Sequence, residues 1–81
     1  MVIGFSTGGQ SANVTAGLAA GRANRATTIL FTGGDGGPAR AEADVAVVVP
    51  SSTTARVQEM HLLLLHLLSE ALDDWVVTSA R

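Results

Sequence analysis

Three stretches of this 81-residue chain carry side chains that could do chemistry. The first is Ser6-Thr7-Gly8-Gly9-Gln10-Ser11, with three hydroxyls and two glycines in six residues. Free backbone N–H groups and a helix dipole attract anions where a strand's carboxyl end meets a helix N-terminus. A hydroxyl-rich loop without lysine suits a phosphate monoester held by neutral donors, and it lacks the Gly-Lys-Ser/Thr ending of a nucleoside-triphosphate loop. An ordinary turn with Ser11 as helix cap accounts for the same residues. The second stretch, Gly34-Asp35-Gly36-Gly37-Pro38-Ala39, fits G-x-G-x-x-A after a strand. A dinucleotide site would also need an acid at the end of the next strand, but that strand ends Val49-Pro50-Ser51 and its acid, Asp44, stands at the beginning. A tight turn is the better reading.

The third stretch holds Gln58, His61 and His66 in a leucine-rich run. At 100° per residue His61 and His66 are about 140° apart and cannot share a site on one straight helix. Gln58 and His66 are about 80° apart with roughly 12 Å of rise between them. They could meet on one small ion only by leaning together, or if the helix were irregular. A histidine here is open to two readings, a hydrogen-bonded core residue or a metal ligand.

The elements that must position these residues follow from local patterns. Residues 2–5 are apolar and β-prone, and Ser11 is placed to cap a helix over residues 12–23. Gly17 and Gly21 lie on one stripe of that helix and would allow close packing on a sheet. Residues 27–32 form an unbroken β-prone run with three β-branched threonines and an isoleucine, read as a buried strand. A glycine loop then leads to Pro38, which suits the first turn of a short helix through Ala43. Residues 44–49 give a third strand, stopped by Pro50. A long helix is expected from about Ala55 to about Val76.

The order β-α-β-α-β-α, with strands as runs rather than alternations, predicts an α/β fold. Its open parallel sheet would carry helices on both faces. Leucines at 62, 63, 64, 65, 67 and 68 surround the last helix, which is expected to bury more than one side: the sheet on one, another subunit or further helix on the other. Glu70, Asp73 and Asp74 read as a solvated end, and Trp75 as a packing residue.

Composition narrows the function classes. The chain is 47% hydrophobic and 15% charged, which argues against disorder. Net charge is −2 and the five arginines are dispersed, so a nucleic-acid partner is not expected. No apolar run approaches the 18 or so residues of a membrane span, and the N-terminus lacks a signal peptide's basic segment. A cytoplasmic protein is expected. There are no cysteines, so disulfides and thiolate metal sites are ruled out. With so small an aliphatic core and a three-stranded sheet with bare edges, stability is expected from association, and further strands are expected in front of Val2.

Together the motifs resemble the second half of a sugar isomerase (SIS) domain, in its phosphoheptose isomerase branch. The phosphate loop G-x-S-T-S-G-N-S is matched by residues 4–11, and T-G-x-D-G-G by residues 32–37. The helix pattern T-A-R-x-Q-E-x-H-x4-H is matched by Thr54-Ala55-Arg56, Gln58-Glu59, His61 and His66. The likeness runs from Ile3 to about Leu72, so residues 1–81 are expected to be the C-terminal part of a single SIS domain.

The resemblance implies isomerisation of sedoheptulose 7-phosphate to D-glycero-D-manno-heptose 7-phosphate through an enediol. By the same resemblance Ser6, Thr7, Gly8 and Ser11 would hold the sugar phosphate. Gln58 and His66 would ligate zinc, with Gln58 also near substrate and His66 the acid/base. A histidine titrating near neutrality suits that role. His61 falls at a family position but reads as structural.

Two departures qualify the likeness. Gly8 stands where the family has serine, leaving only its backbone N–H as a donor. The N-G-G-S type loop, and the helix bearing the other zinc ligands (a His and a Glu that is also the partner acid/base), have no match here; no Glu precedes Glu42. The chain is therefore expected to be inactive alone and to work as a homo-oligomer, a tetramer in the family, or with a complementing N-terminal half. The alternatives are a non-catalytic sugar-phosphate-binding regulator or interaction scaffold of the same fold, and a decayed product without independent function.

Overall fold

A computed structural model describes residues 1–79. The elements run β1 (Val2–Ser6), α1 (Ala12–Ala23), β2 (Thr28–Gly33), a 3-10 turn (Pro38–Glu42), β3 (Val45–Val49) and α2 (Thr54–Ser79). Each boundary lies within one or two residues of the sequence expectation, save the far end of α2, which extends to Ser79.

All three strands are parallel, in the order β1-β2-β3. Val2 pairs with Thr28 through to Ser6 with Thr32, and Ile29 with Val45 through to Gly33 with Val49. Strand alternation assigns the two faces. Gly4 faces α1, where a Cβ would lie 3.0 Å from Val14 Cγ1 and 3.4 Å from Leu18. Leu18, Leu30 and Ala39 are fully buried on that face, with Val2, Val14 and Ala43 packed around them. On the opposite face Phe5 and Phe31 stack with centroids 5.0 Å apart, and His61 of α2 meets Phe5 edge-on at 5.8 Å. Helices therefore cover both faces of an open parallel sheet.

Asp44, at the wrong end of its strand for a ribose, has a local task. Its Oδ2 accepts from the Thr28 N–H at 2.9 Å, while its own N–H donates to Thr28 Oγ1 at 3.0 Å. This exchange fixes where β2 and β3 begin.

Two expectations are corrected. Ser11 occupies the N-cap position, but its hydroxyl makes no capping bond. Only Gly21 provides close packing: a Cβ there would lie 2.9 Å from Val2 Cγ2, whereas one on Gly17 meets nothing within 4 Å. Trp75 is 65% exposed among the described residues, which leaves its packing to another surface. The sheet covers only one side of α2, and the other is the side expected to meet another subunit or a further helix. Val57 and His61 are covered, while Leu62, Leu63 and Leu67 stay more than half exposed.

Candidate functional site

The hydroxyl loop leaves the carboxyl end of β1 because Gly8 and Gly9 end the strand, and α1 begins at Ala12. Ser6 is buried, and its hydroxyl donates to Ser11 Oγ across the loop at 3.4 Å. Freed from capping, the Ser11 hydroxyl stands on the same side of the turn as Ser6. The Gly9 N–H closes the turn onto the Ser6 carbonyl at 3.2 Å, with Gly9 at φ +71°. Thr7 is half-buried and Gly8 exposed at the tip.

The loop opens on a cleft of about 390 Å³ lined by Phe5, Thr7, Gln58, His61, Leu62 and Leu65. Its walls are the end of β1 and the first turns of α2. One hydroxyl and one carboxamide thus project into a mostly apolar setting, as small-ligand sites usually do. The His61 Nε2–H donates to the Thr32 carbonyl at 3.0 Å, so this ring is held as a structural side chain at the cleft floor. His66 is exposed, two turns beyond Gln58 and outside the cleft lining. Of the residues singled out in the sequence, Ser6, Thr7, Gly8 and Ser11 share one loop, and Thr7 and Gln58 share the cleft. His66 stands apart from them.

An imidazole and a carboxamide are suitable donors in kind, but not in number. α2 is uninterrupted helix, so Gln58 and His66 remain about 12 Å apart in rise. Zinc takes four ligands, or three and a water. Among the described residues no group of three or more His, Cys, Asp or Glu side chains could hold a metal ion.

The second glycine motif has a role that pattern matching missed. Its turn lies against the hydroxyl loop: a Cβ on Gly9 would sit 1.7 Å from the Gly36 carbonyl oxygen, and one on Gly37 2.6 Å from the Gly9 oxygen. The Ala39 N–H donates to the Gly9 carbonyl at 3.1 Å. The two turns touch along their backbones, which leaves no room for a dinucleotide between them. Paired glycines after two adjacent parallel strands were the available signal. Thr32, in register with Ser6, keeps a buried hydroxyl with no hydrogen-bond partner among the described residues.

No helix among the described residues is long and apolar enough to cross a membrane. No protein-family model matches the chain. It is 39% identical over 71 residues to a phosphoheptose isomerase of Leptospira biflexa, covering 88% of this chain and 36% of that protein. It is 43% identical over 77 residues to one of Alteromonas mediterranea, covering 91% and 39%. Among solved structures, the phosphoheptose isomerase GmhA of Neisseria gonorrhoeae superposes with TM-score 0.81 at 40% identity, over 85% of this chain and 40% of that one. A phosphoheptose isomerase from Francisella tularensis superposes with TM-score 0.83 at 29% identity, over 89% and 41%. By sequence and by fold alike, the chain belongs to the phosphoheptose isomerase family, spanning about two fifths of the length of the relatives it matches.

Proposed function

We propose that these residues form the phosphate-binding and His66-bearing part of an isomerase that converts sedoheptulose 7-phosphate to D-glycero-D-manno-heptose 7-phosphate. One observation carries this reading: Thr7 of the hydroxyl loop and Gln58 of α2 line a single cleft at the carboxyl end of the sheet. In open α/β sheets ligands bind at that end. The Ser6, Thr7 and Ser11 hydroxyls and the loop N–H groups hold the phosphate, and Gln58 orients the sugar.

The reaction removes a proton from C1 of the ketose and delivers one to C2, while the C1 hydroxyl gives up its proton to become the aldehyde and the C2 carbonyl oxygen takes one up to become a hydroxyl. His66 serves as one acid/base partner, since imidazole can both accept and return a proton near neutrality. The second partner and the remaining zinc donors would have to come from residues other than these 81. Gln58 and His66 would hold zinc only if α2 bent to bring them together and further donors completed the set; zinc bound there would polarise the sugar carbonyl.

The test is a chimera in which this sequence replaces the matched segment of the Alteromonas mediterranea isomerase. Turnover of sedoheptulose 7-phosphate, lost by about a hundredfold or more in His66→Ala, is the expected result. A folded chimera that binds the sugar phosphate without turning it over would overturn the catalytic reading in favour of a sugar-phosphate-binding regulator. Gly8 in place of serine is the feature that favours that alternative.

A further inference from the structure

We propose that Asp35 is a positioning residue for the phosphate loop, acting through the Gly36–Gly37 turn on which that loop is seated. The inference rests on the phosphate-loop reading above, and it concerns a residue outside the cleft. Asp35 Oδ1 accepts from the Gly37 N–H at 2.8 Å, and the Asp35 carbonyl accepts from Arg40 Nη1 at 3.2 Å. The carboxylate thereby holds Gly37 at φ +55° and ψ −164°, a conformation essentially confined to glycine.

In that conformation Gly37 runs directly against the other loop. A Cβ on it would lie 2.6 Å from the Gly9 oxygen and 2.7 Å from the Gly8 oxygen. Two residues on, the Ala39 N–H takes the Gly9 carbonyl at 3.1 Å. The consequence for binding follows from peptide geometry. A trans peptide sets its C=O and N–H on opposite sides, and there are no cis bonds in the described chain. Drawing the Gly9 carbonyl inward onto Ala39 therefore turns the Gln10 N–H outward, away from the Gly36–Gly37 turn. The Gly9 N–H is already taken, since it donates to the Ser6 carbonyl at 3.2 Å, so the Gln10 N–H is the donor this contact directs. The Gln10 donor is thus aimed by the Gly36–Gly37 turn, and Asp35 is the side chain that fixes that turn.

The experiment is a titration of the 81-residue chain with sedoheptulose 7-phosphate, followed by ¹⁵N amide shifts of residues 6–11. Unmodified chain, Asp35→Ala and Asp35→Asn are compared, with thermal melting of each. Alanine removes the acceptor, and asparagine keeps a carbonyl oxygen in the same place. The expected result is about tenfold weaker binding in Asp35→Ala, with asparagine recovering affinity to within about threefold. A purely structural role would lower the melting temperature of Asp35→Ala and leave the affinity of the folded chain unchanged, which would overturn the proposal. Asp35→Asn binding as weakly as Asp35→Ala would overturn it too, since charge and not the bond to Gly37 would then matter. If the unmodified chain shows no binding, the phosphate-loop reading falls and takes this one with it. Binding that neither variant alters removes this inference alone.

Discussion

The Nε2 of His61 lies 3.0 Å from the carbonyl oxygen of Thr32, which places a hydrogen bond inside the otherwise apolar seam between α2 and β2. The same ring meets Phe5 edge-on, so one side chain joins two strands to the helix. His61→Ala should lower stability by about 2–4 kcal/mol, combining a cavity with a lost donor. His61→Phe, which keeps the packing, should cost nearer 1 kcal/mol. Urea unfolding followed by circular dichroism separates the two. Equal losses would mean that the hydrogen bond has no separate role.

Two glycines should respond in opposite directions to alanine. Nothing lies within 4 Å of a Cβ on Gly17, in mid-helix, so Gly17→Ala should stabilise α1 by about 0.5–1 kcal/mol. At Gly33 the added methyl would sit 2.6 Å from Val57 Cγ2 and 2.8 Å from the Thr7 oxygen. Gly33→Ala should cost about 1–3 kcal/mol and shift the Thr7 amide resonance. A stabilising Gly33→Ala would contradict the close approach of α2 to the end of β2.

Gly8→Ser restores the hydroxyl found at this place in the family pattern. The site has room, since the nearest atom to a new Cβ is Gln10 Cγ at 3.9 Å, and Gly8 does not hold a positive φ. The variant should melt with the parent chain and bind sedoheptulose 7-phosphate about three- to tenfold more tightly, as one added solvent-exposed hydrogen bond of ordinary net strength provides. Unchanged affinity in isothermal titration would count against the loop as the phosphate site.

The exposed leucines predict self-association. Leu62, Leu63 and Leu67 are each more than half exposed, as are Trp75, Val76 and Val77 further along α2. Contiguous apolar surface of this kind seldom stays in water. Sedimentation should show species heavier than a monomer, and Leu63→Glu with Leu67→Glu should shift them toward monomer. A stable monomer of the unmodified chain at tens of micromolar would refute the expectation.

Much of the fold was legible because local and tertiary preferences agree. The runs around Ile29 and Val47 are rich in β-branched residues and unbroken by charge, which suits strands covered on both faces, and glycine or proline marks each exit. The parts that escaped reading depend on what lies across space. Gly17 and Gly21 look alike on a helical stripe, yet only Gly21 meets a strand. Ser11 has the composition of a cap, but Ser6 draws its hydroxyl elsewhere. Gly34 to Ala39 fits a nucleotide pattern until its neighbour loop is known to fill the space. His61 and His66 differ in burial only because the sheet is narrow and reaches one face of α2. In the site, the grouping of Ser6, Thr7 and Ser11 was plain from their adjacency. The shared cleft of Thr7 and Gln58 required the turn between β3 and α2.

The seating of one glycine turn on the other ties occupancy to folding. An anion held by residues 6–11 would rest on a surface that exists only after β2 and the 3-10 turn have taken their places. A ligand that binds only the folded chain raises its stability by mass action, by about 2.7 kcal/mol at a hundredfold excess over Kd. The midpoint of thermal unfolding should therefore climb with the logarithm of sugar-phosphate concentration. For this chain a simple melting curve doubles as a binding isotherm.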